Sequence, residues 1–62
     1  MSNMAIIEAL NSAGSWMRCS TCSKHPNDIQ RGLKAALNNN SWASKVRAID
    51  EETKQLIDMA FK

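Results

Sequence analysis

The stretch PNDIQRGLKAALNNN, Pro26 to Asn40, limits the possible folds more than any other part of the chain. Pro26 has no N–H to lose at a first helical position, and Asn27 and Asp28 suit the positive end of a helix dipole. Ile29, Leu33, Ala36 and Leu37 then recur at i, i+4, i+7 and i+8, with Gln30, Arg31 and Lys34 on the opposite side. That spacing predicts an amphipathic helix with one apolar stripe, which the rest of the chain has to cover. Asn38, Asn39 and Asn40 end it, because Asn competes for backbone hydrogen bonds and tolerates left-handed geometry.

Two flanking segments supply candidates for that cover. From Ser2 to Ala13, Met4, Ile6, Ile7, Leu10 and Ala13 fall on overlapping helical offsets, and Gly14 follows as a left-handed stop. After Ser41, a residue type suited to an N-cap, Trp42, Val46, Ile49, Thr53, Leu56 and Ala60 form a heptad seam that Ile57 and Phe61 widen. Asp50, followed by two acids, is a second candidate helix start, so this segment is either one helix or two. Gly and Pro are scarce and Tyr is absent. The expected fold is all-α: a small bundle of three helices, or four if the chain breaks at Asp50. Residues 1–62 form one domain, and a CxxC-containing connection joins helices 1 and 2.

A chain of 62 residues buries about 60% of the surface that its unfolded form exposes, so its core is marginal. Regular packing, a metal or a second copy would supply the missing stability. Eight Lys and Arg against six Asp and Glu leave a net charge of +2 with no basic run, which a solvated surface explains. The run MAII is too short to span a membrane and lacks the form of a secretion signal, so the expectation is a cytoplasmic protein with reduced thiols.

Cys19, Cys22 and His25 are spaced C-x2-C-x2-H. Two Cys and a His could hold zinc, with the fourth ligand coming from Asp28, Glu8, water or a partner chain. A redox role would need a depressed thiol pKa, with Arg18 and Lys24 as the nearby cations. The structural alternative has both Cys as small apolar residues beside Trp16 and Met17, with His25 capping the next helix. Enzyme chemistry is not expected. There is one His, no Gly-rich phosphate loop, and Glu51 and Glu52 are adjacent rather than opposed; a small-molecule substrate is not expected either.

LKAALNNNSWASKVRAI can be laid on the helix-turn-helix pattern, with Ala36, Asn40, Val46 and Ile49 at its packing and turn positions. On that alternative the 41–49 segment is a recognition helix that presents Ser44, Lys45 and Arg47 to DNA. Asn39 and Ser41 occupy places that are normally apolar, and +2 is a low charge for phosphate binding. KVRAIDEETKQLIDMAFK resembles the opening strand and first helix of ribbon-helix-helix repressors, but no residue role is carried over from those eighteen residues.

The expected function is a small non-enzymatic helical interaction module that binds and modulates a protein partner. Trp16, Met17, Trp42, Met59 and Phe61 are its contact candidates, since aromatic and Met side chains dominate interface energy. Trp42 and Phe61 lie on or beside the seam and have core as their competing role. A homodimer is the first partnership to expect. The alternatives are a helix-turn-helix-like DNA-binding regulator and a zinc-stabilised adaptor.

Overall fold

Pro26 does open a helix. The structure is a computed structural model that describes residues 3–62. Helix α1 spans Pro26–Asn39, with His25 as an extended N-cap and Ile29, Leu33 and Ala36 as its buried side chains, the face that the spacing predicts. Asn40 ends it by donating both its backbone N–H (3.2 Å) and its side-chain Nδ2 (2.9 Å) to the carbonyl of Ala36.

The rest of the expected bundle is overturned. Among the described residues α1 is the only helix, and the fold is α/β: a four-stranded antiparallel sheet with one helix. Its strands are β1 (Met4–Leu10), β2 (Trp16–Ser23), β3 (Lys45–Asp50) and β4 (Leu56–Phe61), in the order β2-β1-β3-β4. Two hairpins, β1–β2 and β3–β4, pair through their first strands, and α1 crosses between them.

The predicted first helix is therefore β1 and its turn; its starting residue, Ser2, lies outside the described residues. The CxxC connection is strand β2. The predicted third helix is a β3–β4 hairpin, and the 41–49 recognition helix is a turn followed by most of β3. With no helix there, the heptad seam and the helix-turn-helix geometry both fall.

The physical reason lies in how β1 is covered. Ala5, Ile7 and Ala9 alternate onto the helix side and are fully buried, while Met4, Ile6 and Leu10 point to the other side. Because both sides carry apolar residues, the polar/apolar alternation of a half-exposed strand is missing. Met4, Ile7 and Leu10 then match helical offsets by coincidence. In the C-terminal segment the apparent seam likewise mixes Val46, which packs under the helix, with Ile49, which lies on the opposite side.

One core holds the layers together. Ile29, Leu33 and Ala36 pack on Ala5, Ile7, Ala9, Val46 and Ala48, with Ala43 closing one end and Cys22, Leu37 and Ala60 at the margins. Small strand residues let the helix lie close. At Gly32 a Cβ would sit 3.1 Å from Cγ1 of Ile7, so this position is kept bare by the approach of helix to sheet.

The two hairpin turns use residues whose conformations the sequence signals but whose context it hides. Gly14 has φ +82°, the left-handed geometry expected, but it closes a loop in which Asn11 Oδ1 accepts from the N–H of Ala13 and of Ser15. Asp50 does accept N–H bonds from Glu52 (2.8 Å) and Thr53 (3.1 Å), as a helix N-cap would. Only one turn forms, however, because Lys54 adopts φ +65° and sends the chain back as β4.

Candidate interaction surface

With α1 covering one side of the sheet, the opposite side is left open, and the strand register fixes what it presents. Residues directly opposite on neighbouring strands share a side, so the face resolves into transverse rows. Trp16 pairs with Leu10 at one end of β1, and Lys45 pairs with Phe61 in the other hairpin. The next row is Arg18, Glu8, Arg47 and Met59, and the one after it is Thr21, Ile6, Ile49 and Leu56. Beyond these Ser23 pairs with Met4, whose carbonyl accepts the N–H of Glu51 (3.2 Å).

This open face is unusually apolar for a surface. Ile6 and Ile49 are 5% exposed yet lie outside the core cluster under the helix, so they form a second apolar centre shielded only by their neighbours. Around them Met4, Leu56 and Phe61 are exposed, Phe61 by 62% and Leu56 by 57%. Exposed apolar side chains grouped around a shielded pair make this face the candidate docking surface.

The polar groups on the face are fixed in position. Arg47 donates from Nε and Nη2 to Oε1 of Glu8, each at 2.8 Å, and its guanidinium lies 4.0 Å from the centroid of the Trp16 ring. Lys45 Nζ stands 5.2 Å from the Phe61 centroid. Each aromatic ring thus has a cation on one side. The Glu8–Arg47 pair stands at the middle of the face with Arg18 in the same row, and Lys45 lies beyond it toward Phe61.

The five contact candidates divide between the two sides of the sheet. Trp16, Met59 and Phe61 fall on the open face. Met17 and Trp42 do not: they line a groove of about 520 Å³ between β2 and the end of α1. Ile6, Ile49, Leu56 and Met4 were missed as residues of this face, although alternate positions of MAIIEAL carry Met4 and Ile6 once that segment is taken as a strand. The DNA candidates scatter. Lys45 and Arg47 sit in β3 on the open face, whereas Ser44 lies in the preceding loop, its carbonyl bound by the N–H of Lys62.

The structure does not bring Cys19, Cys22 and His25 together. Three residues along a strand span about 10 Å, too far for a disulfide or for one shared ion. Cys19 is exposed and takes a contact from Asn40 Nδ2 (3.5 Å), whereas Cys22 packs against the core. Burial, and then the nearby Asp28 carboxylate, raise the Cys22 thiol pKa, opposite to the shift that redox chemistry needs. Among the described residues no group of three His, Cys, Asp or Glu is placed to hold a metal ion. No helix there is long and apolar enough to cross a membrane.

The chain stands apart in comparison. No protein-family model matches it, and neither does any curated protein or solved structure. Its function has to be argued from the surface itself.

Proposed function

We propose that this chain is a non-enzymatic protein-interaction module whose binding surface is the open face of the sheet. The observation that supports this most is the second apolar centre, Ile6 and Ile49, ringed by exposed Met4, Leu56 and Phe61 on the side that the helix leaves bare. Burying such a ring is worth about 25 cal/mol per Å² of apolar area removed from water. Aromatic and Arg side chains at its border, Trp16, Phe61 and Arg47, are the residue types that anchor protein interfaces. DNA reading through a 41–49 helix has no support, since that segment is not helical.

Three immobilised proteins test this: the wild type, Leu56→Asp on the open face, and Arg31→Asp on the outer side of α1. Proteins retained by the wild type, further copies of the chain included, are expected to be lost with Leu56→Asp and kept with Arg31→Asp. Equal retention by both variants would place the binding surface elsewhere.

A further inference from the structure

We propose that the partner of the open face is an amphipathic helix bordered by acids, with its apolar stripe on Ile6 and Ile49 and its carboxylates against Lys45 and Arg18. This rests on the open face being the binding surface and names the chemistry of what binds there.

The central strands are built to be covered twice. β1 directs Ala5, Ile7 and Ala9 toward α1 and Met4, Ile6 and Leu10 away from it, while β3 directs Val46 and Ala48 one way and Ile49 the other. Apolar residues on both sides are the pattern of strands that lie between two layers, and α1 supplies one of these. The other layer has to engage side chains, because β1 and β3 each have a paired strand on either side and leave no edge to which a strand could add. α1 shows what length these strands accept: its 14 residues, about 21 Å of helix, cover them on the opposite side.

Relief favours a helix over a second sheet. Ile6 and Ile49, each 5% exposed, lie low, whereas Leu56 in the same row and Phe61 toward one end stand out at 57% and 62%. A convex ridge of side chains enters such a recess; a flat sheet would rest on the side chains that project.

Charge sets the rest. Within the strands of this face stand three cations, Arg18, Lys45 and Arg47, and one acid, Glu8. Glu8 is held by Arg47 through two contacts of 2.8 Å. Arg18 and Lys45 make no ion pair with a described residue, and Lys45 Nζ stands over the Phe61 ring instead. Glu51 and Glu52 belong to the turn after β3, at the opposite end of that strand from Lys45. The apolar centre is thus bordered by unmatched positive charge, which carboxylates beside an apolar stripe complement.

Two synthetic helical peptides of about 18 residues test this, alike in a Leu stripe and differing in Glu or Lys along its borders. By fluorescence anisotropy the wild type is expected to bind the Glu peptide about tenfold more tightly than the Lys peptide, or better, with the difference shrinking as salt is raised. Arg18→Glu combined with Lys45→Glu is expected to reverse the preference, and Leu56→Asp to weaken both peptides. A wild type that binds the two alike, or a preference that survives the charge reversal, would overturn the acidic helix. Binding to phosphatidylserine vesicles but to neither peptide would also overturn it and give the face to a lipid surface. So would a wild-type dimer that Leu56→Asp dissociates and neither peptide disrupts, which would give the face to a second copy. The Leu56→Asp retention experiment still judges the open face separately, because it counts any protein bound there, whatever its charge.

Discussion

At the scale of single residues, two turn positions carry conformational cost that can be measured. Gly14 has φ +82° with nothing within 4 Å of where a Cβ would stand, so Gly14→Ala meets only the left-handed backbone penalty. A loss of about 1–2 kcal/mol is expected in urea denaturation. Asp50 gives a pH signature. The bond from Lys24, followed by the N–H groups of Thr53 and Glu52, lowers its pKa from 3.8 to about 2. A carboxylate lowered on folding stabilises above its unfolded pKa, and that stabilisation fades as pH falls through the folded value. Denaturation midpoints of the wild type are expected to drop between pH 5 and pH 2, and those of Asp50→Asn to drop less. The cysteines give a third residue-scale outcome. Thiol-specific alkylation is expected to modify exposed Cys19 well before Cys22, and mild oxidation is expected to leave Cys19 and Cys22 unlinked within one chain.

At the scale of elements, the signals in the sequence were real, but the elements they belonged to were not all recognised. The helix was legible because its apolar stripe, its Pro start and its Asn stop all agree on Pro26–Asn39. β1 was not, because it is central and apolar residues occupy both its sides, which erases the period-2 pattern; in β3, Lys45, Val46, Arg47 and Ala48 do alternate, but Val46 and Ile49 also fit a heptad. Asp50 illustrates the same limit. Its cap bonds to Glu52 and Thr53 are the ones a helix start makes, but Lys54 in the left-handed region turns one helical turn into a hairpin. Since α1 covers its side of the sheet, the helix–sheet contact concentrates the stability. Leu33 is 2% exposed at the middle of that contact, and Leu33→Ala is expected to cost about 2–5 kcal/mol, a large part of what so small a domain has. Loss of the unfolding transition in urea or a midpoint shifted far down would report it.

At the scale of the whole molecule, the two-layer arrangement leaves the chain with a core on one side of the sheet and an apolar surface on the other. The core accounts for folding, and the surface is where we propose that a partner binds. Linkage connects the two: whatever covers the open face stabilises the folded chain, so the melting temperature of the wild type is expected to rise with the concentration of the protein that binds there. For Leu56→Asp it is expected to stay flat. Trp16, Met59 and Phe61 entered as contact candidates by residue type alone, since aromatic and Met side chains are favoured at interfaces wherever they fall. That they share a face with Ile6 and Ile49, and that Met17 and Trp42 do not, followed only from the register. By itself the sequence determined the helix, its boundaries and buried stripe and the left-handed Gly14, and offered the cap at Asp50 as one of two readings, because these depend on bonds between residues a few positions apart. The tertiary structure alone decided that the flanking segments are strands, that Cys19, Cys22 and His25 lie apart, and that one side of the sheet stays bare. Strand pairing joins residues tens of positions apart, such as Glu8 and Arg47, and no local spacing records which segments will meet.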